Sequence, residues 1–169
     1  MTDGLDHGAR RIAAFVIAFG VFILDRWSKY LVESGLSFSD TRTVIPGFFN
    51  IVRSENPGIA FGIFQDNPTH DRTLILVTFS ILAVVLLAAM LWRIDRLDFL
   101  SGIAMSFIFG GAMGNVYDRI HVGHVTDFLD FYVDSYHWYT FNIADSAICV
   151  GAALLILGIL INRPQEAKA

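Results

Sequence analysis

The run Thr73 to Trp92, TLILVTFSILAVVLLAAMLW, carries no charge and shows no amphipathic period. A helix that is apolar on every face has no side to present to water, and about 20 such residues are enough to cross the hydrocarbon of a bilayer. Three further runs reach comparable length: Ile12 to Leu31, Phe99 to Tyr117 and Phe141 to Ile161. With 54% hydrophobic and only 17% charged residues, the chain is more apolar than an ordinary soluble domain. The expectation is one integral membrane domain over residues 1–169, with spans at 12–31, 73–92, 99–117 and 141–161 and a polar tail from Asn162.

Basic residues near the span ends set the orientation. Arg10 and Arg11 precede the first span, Arg93 and Arg96 join the second to the third, and Arg163 and Lys168 follow the fourth. With four spans all six fall on one side, which the positive-inside rule makes the cytoplasm, with both termini there. The connections 32–72 and 118–140 then face outward, although they hold Arg42, Arg53, Arg72 and Arg119 of their own. A basic start followed by Ile12 to Leu24 also fits a secretory signal peptide. However, Asp25, Arg26, Ser28 and Lys29 stand where a small-residue cleavage site would be needed.

The net charge of -4 is spread over loops and tails without a basic stripe, which argues against nucleic acid as a partner. The single cysteine, Cys149, excludes an intrachain disulfide and a cysteine-rich metal site, and within an apolar run it reads as a small packed hydrophobe. The first outer connection is better organised than a linker. Thr43 to Val52 is rich in β-formers around Pro46-Gly47, so a small strand pair is expected there. Glu55 to Phe64 follows as a turn leading into an aromatic stretch, expected to lie over the site as a rim or lid, with Phe48, Phe49, Phe61 and Phe64 at the headgroup level.

Against this background two acids stand out. Asp127 and Asp145 flank one short aromatic-rich connection, each beside an apolar run. Ionisable side chains at membrane depth are expensive and are read as functional by default. Antiparallel spans joined by an outer loop bring both to a similar depth, and two carboxylates in contact cannot both ionise easily, so the pair holds one proton. That state suits peptide hydrolysis: one acid takes a proton from water while the other polarises the scissile carbonyl. Asn142 and Asp145 are three apart and share a helix face. Asn115, Arg119 and Asn142 read as groups that orient the dyad or hold a substrate backbone.

Gly110 and Gly114 form a GxxxG pair suited to close helix contact in lipid. Asp25 stands at i, i+4 from Lys29, a spacing that suits a structural ion pair. Asp118 and Arg119 read as a polar network at the helix end. His121, His124 and His137 near two acids raise a zinc alternative, but their spacing lacks the i, i+4 pair of an HExxH helix. A proton-coupled transporter would place its acids near the midplane on broken helices or inverted repeats, and no repeat is seen. A metal-dependent lipid phosphotransferase would need a denser acid cluster.

Gly110 to Arg119 (GGAMGNVYDR), Gly123 to Phe128 (GHVTDF) and Phe141 to Ser146 (FNIADS) resemble the signature blocks of the lipoprotein signal peptidase, or signal peptidase II, family. Asp25 to Lys29 (DRWSK) resembles its first-span block, and Pro46 to Asn50 and Asn56 to Gly62 resemble its outer-loop blocks. Two departures stand out: Ile59 occupies a position where alanine is frequent, and Ser54-Glu55 replace an arginine common before the asparagine.

The resemblance implies an aspartic endopeptidase of the bacterial inner membrane, without metal or cofactor, that cuts before a diacylglyceryl-modified cysteine. Its partners would be diacylglyceryl-modified prolipoproteins and membrane lipid, and a monomer is the expected working unit. The catalytic dyad maps onto Asp127 and Asp145. The residues around dyad and substrate map onto Asp25, Lys29, Asn56, Gly58, Asn115, Asp118, Arg119, Asn142 and Ala144. The implied fold is all-α: four transmembrane helices with a small periplasmic β cradle and a short amphipathic surface helix.

Overall fold

The computed structural model describes residues 3–58, 70–94 and 97–161. In chain order these form α1 (Asp3–Gly35), β1 (Thr41–Ile45), β2 (Phe49–Asn56), α2 (His70–Trp92), α3 (Phe99–His121), β3 (Val125–Val133), β4 (Tyr136–His137) and α4 (Ile143–Ile161). The expected aromatic lid lies outside the described residues from Ile59 onward, as does a surface helix placed there.

Three helices are long and apolar enough to cross a membrane: Leu74–Trp92, Phe99–His121 and Ile143–Ile161. The remaining long helix, α1, is turned inside out. Ile12, Val16, Phe19, Ile23, Trp27 and Tyr30, spaced three and four apart, are exposed, while Ala14, Ala18, Asp25, Lys29 and Val32 are buried. Such a helix has its apolar stripe outward and its polar face toward its neighbours, which suits lipid rather than water. α1 also runs beyond the expected 12–31 at both ends. Cys149 lies exposed on α4 instead of packing inward.

α3 is the central helix: 56% of its apolar window is buried, against 6% for α2 and 22% for α4. It begins at the N-cap Asp98, whose carboxylate accepts the Ser101 backbone N–H, satisfying one of the free donors at the helix start. Small residues let its neighbours approach. A Cβ on Gly110 would collide with the Ala18 carbonyl of α1, one on Gly111 with the Ala144 carbonyl of α4, and one on Gly114 with the Asp25 carboxylate. The GxxxG pair thus serves the α1 contact, and Gly111 with Gly151 serves α4. At the opposite end of the bundle from the sheet, Ala14, Leu91, Ile94 and Met105 form an apolar core.

The sheet is antiparallel in the order β1-β2-β3-β4. β1 and β2 are the expected strand pair, turned at Pro46-Gly47 with Gly47 at φ 79° and the Phe48 N–H donating to the Ile45 carbonyl at 3.1 Å, a type II turn. β3 and β4 occupy the connection that sequence alone left without strands. β2 is bulged: Ile51 pairs with Leu129 but Ser54 with Asp127, so one extra residue sits in β2. An extra residue flips the alternation of a strand relative to its start, and the pairing beyond it puts Ser54 and Asn56 on the same face as Asp127.

Candidate active site

Asp127 projects from β3 and is 2% exposed. Both of its oxygens are engaged: Oδ1 accepts from Asn142 Nδ2 at 2.7 Å and Oδ2 from Asn56 Nδ2 at 3.0 Å. Asn56 pairs with Val125 and so lies diagonally across the ladder from Asp127, within reach on one face. Its own Oδ1 accepts the Gly58 N–H at 3.0 Å, and the Gly58 carbonyl accepts from Arg119 Nη2 at 3.0 Å. Burial pushes the Asp127 carboxyl up, the nearby Asp145 charge adds to it, and the amides of Asn56 and Asn142 and the charge of Lys29 oppose it. The result is a pKa of about 6.

Asp145 reaches the same point from α4. Asn142 immediately precedes the first helical residue, its Oδ1 accepts the Asp145 N–H at 2.9 Å, and its own N–H donates to Asp145 Oδ2 at 3.4 Å. This is a capping box with aspartate in the usual glutamate place. The two residues therefore meet as cap and third helical residue, not as neighbours on one helical face. The second oxygen of Asp145, Oδ1, accepts from Asn115 Nδ2 at 2.8 Å. Asn142 thus touches both acids, its side-chain amide on Asp127 and its backbone and carbonyl oxygen on Asp145.

Behind the pair stands a buried column of charge. Lys29 and Asp25 are both 0% exposed and bonded at 2.8 Å, and the Lys29 ammonium also meets Asp118 Oδ2 at 2.7 Å and donates to Asn115 Oδ1 at 3.0 Å. Arg26 pairs with the other oxygen of Asp118 and lies over the Tyr117 ring. Asp25 Oδ1 accepts the Ala144 N–H at 2.8 Å, so the carboxylate sits at the positive end of α4 and satisfies one of its free donors. Every charge in the column has an opposite partner, as burial requires.

All eleven residues singled out from the sequence therefore fall into one connected network at the junction of α1, α3, α4 and the sheet. Four others were missed. Glu33 accepts from Thr126 Oγ1 at 2.7 Å, beside Asp127. Arg53 donates to the Glu33 and Leu36 carbonyls at the end of α1, and Asp130 is buried between Asn50 and His137 at 3.0 and 2.8 Å. Arg26 stood inside a motif without a named partner, which is Asp118. No alternation flags Asp130, since both faces of β3 hold buried groups.

The histidines part company. His121 stacks on Tyr117, His124 meets Glu55 at 3.2 Å, and His137 meets Asp130. Among the described residues no three His, Cys, Asp or Glu side chains are grouped to hold a metal ion.

Comparison with known proteins follows the same lines. The family model described as Signal peptidase (SPase) II matches residues 17–161. A lipoprotein signal peptidase of Solibacter usitatus is 53% identical over 158 residues, covering 94% of this chain and 96% of its own. One from Alteromonas mediterranea is 44% identical over 150 residues, covering 87% and 80% respectively. Two bacterial membrane enzymes solved by the in meso method share the fold. One has a TM-score of 0.80 at 29% identity, covering 93% of either chain, and the other 0.76 at 31%, covering 89% of this chain and 94% of its own. Matched along most of its length and in its fold, the chain belongs to the signal peptidase II family and is a bacterial integral membrane peptidase of the aspartic class.

Proposed function

We propose that this chain removes the signal peptide from diacylglyceryl-modified prolipoproteins, cutting just before the lipidated cysteine, with Asp127 and Asp145 as the water-activating dyad. The observation that carries this reading is the Asn142 bridge, which donates to Asp127 at 2.7 Å while capping the helix turn that bears Asp145. The substrate class comes from the relatives, which are named lipoprotein signal peptidases.

The chemistry follows from a pair that shares one proton. The ionised carboxylate takes a proton from water as the oxygen attacks the scissile carbonyl carbon, and the protonated partner donates to the carbonyl oxygen, leaving a neutral diol. Collapse breaks the C–N bond. The acid that gained the water proton passes it to the leaving nitrogen, a diol hydroxyl returns a proton to the other, and the pair regains its first state. A value of about 6 for Asp127 favours retention of that proton close to neutral pH. The Arg119–Gly58–Asn56 chain of contacts holds the outer connection against the dyad. Arg119 and Gly58 are suited to hold substrate backbone, while Asp25, Lys29, Asn115, Asp118 and Ala144 position the dyad.

The whole chain works as one peptidase unit of four spans, α1 included, with the sheet as a cradle on the periplasmic side. Arg10, Arg11, Arg93, Arg96, Arg163 and Lys168 favour the cytoplasm at the other end, with both termini there. A substrate that is itself a membrane span presents its scissile bond at the outer interface, and a monomer suffices.

The test is cleavage of a diacylglyceryl-modified prolipoprotein peptide in detergent by wild type, Asp127→Asn and Asp145→Asn, each with and without EDTA. Either substitution is expected to lower turnover on the order of 10³-fold, with wild-type cleavage unaffected by chelator. Cleavage that survives one substitution removes that residue from the dyad. Cleavage abolished by EDTA replaces the mechanism with a metal-assisted one.

A further inference from the structure

A groove runs along the contact of α1 with α3, with about 310 Å³ of space lined by Phe15, Ala18, Phe19, Phe22, Phe109 and Met113. That volume lies at the small end of the ~300–1,000 Å³ typical of ligand pockets. Four phenylalanines, a methionine and an alanine offer nothing to a polar ligand and suit a flexible hydrocarbon chain.

The end of the groove nearer the sheet is different. Phe22 meets the Tyr117 ring edge-on at 5.9 Å, the Arg26 guanidinium lies over that ring at 4.8 Å from its centroid, and His121 stacks on it at 3.9 Å. The residues form two parallel rows. Phe15, Phe19, Phe22 and Arg26 follow one face of α1, and Phe109, Met113, Tyr117 and His121 follow one face of α3, both at helical spacing. The groove therefore grades from apolar to cationic and aromatic along the bundle axis, as a lipid grades from chain to headgroup.

The groove also turns away from the dyad. On α3, Gly111 meets Ala144 of α4 and Asn115 bonds Asp145, whereas Phe109, Met113 and Tyr117 lie about half a turn round the helix. A substrate laid across the two aspartates would approach from the other side.

We infer that the α1–α3 groove is a binding site for an anionic membrane glycerophospholipid, one acyl chain lying among the phenylalanines and the phosphate meeting the Arg26 guanidinium. Arg26, 23% exposed at its side chain, continues the α1 row of the groove as a cation, and guanidinium is suited to phosphate. A neutral diacylglyceryl group would leave the guanidinium without an ionic partner from the ligand. The site is linked to the dyad: Arg26 pairs with Asp118, Asp118 with Lys29, Lys29 with Asn115 and Asn115 with Asp145. The inference does not depend on which peptide the dyad cleaves.

The experiment is native mass spectrometry of the full chain, delipidated in neutral detergent and titrated separately with phosphatidylglycerol, phosphatidylcholine and diacylglycerol, for wild type, Arg26→Gln and Met113→Trp. Wild type is expected to retain one phosphatidylglycerol at least tenfold more tightly than either of the other lipids. Arg26→Gln should abolish that preference, and Met113→Trp, which fills the groove and leaves the cation, should weaken all three lipids. A thermal melt of each variant separates lost binding from lost folding. Equal retention of phosphatidylglycerol by folded wild type and both folded variants overturns the site. Equal affinity of wild type for the three lipids overturns the role of Arg26, and displacement of the lipid by a diacylglyceryl-modified peptide makes the groove a substrate subsite instead.

Discussion

Two asparagines set the state of Asp127. Asn56 Oδ1 is held by the Gly58 N–H and Asn142 Oδ1 by the Asp145 N–H, so each amide is oriented with its NH₂ toward the acid. A measurable consequence concerns pH. The Asp127 carboxyl is pushed from its ordinary 3.8 to about 6, chiefly by burial and next by Asp145. The folded protein therefore binds more protons than the unfolded chain between those values. This contribution to stability is complete below about 4 and is lost as pH rises through 6, a change of about 3 kcal/mol. Thermal melts in detergent at pH 4.5 and 7.5 should show wild type losing stability relative to Asp127→Asn across that interval. Parallel behaviour of the two proteins would remove the assigned cause. The residues of this site were legible because acids and amides beside apolar spans are conspicuous and form familiar blocks. Their partners were not. Glu33 and Arg53 are ordinary surface-type residues in a sequence, and only the meeting of the end of α1 with β2 and β3 gives them work.

Among the elements, β2 carries Asn56 to the dyad and holds one extra residue. With Ile51 opposite Leu129 and Ser54 opposite Asp127, the bulge lies before the residues that face Asp127. Deleting Val52 should restore a regular ladder with Ser54 still opposite Asp127 and Asn56 still on that face, so turnover should stay within about tenfold of wild type, whereas Asn56→Ala should lower it on the order of 10²-fold. Turnover measured beside the melting temperature decides it, and a folded deletion that loses as much as Asn56→Ala would show that the bulge itself shapes the site. The strand pair around Pro46-Gly47 could be read from its turn and β-formers, but a bulge leaves no such mark. β3 escaped notice for a related reason: Val125 to Val133 alternates poorly because both of its faces hold buried groups, Asp127 on one and Thr126, Phe128 and Asp130 on the other. The long helices were visible from hydropathy, and the ends of α1 were not, since polar ends extend a helix without extending its apolar run.

Taken whole, the molecule joins a lipid-facing bundle to a small sheet, with the charged column at the joint. The segment Asn56 to Phe64 is the one whose sequence suggests a rim or lid, and its described start, Asn56 to Gly58, contacts Asp127 and Arg119. Shortening or rigidifying it should lower turnover more than it lowers the melting temperature, and equal losses in both would sink the idea of a cover. The inside-out character of α1 bears on how the enzyme is made. Asp25 and Lys29 find their remaining partners in Asp118, Asn115 and Ala144, all of which leave the ribosome after α2. Alone in a bilayer, α1 would hold one ion pair and its unsatisfied remainder in hydrocarbon. The polar face of α1 is thus completed only once α3 and α4, which follow it in the chain, have been made.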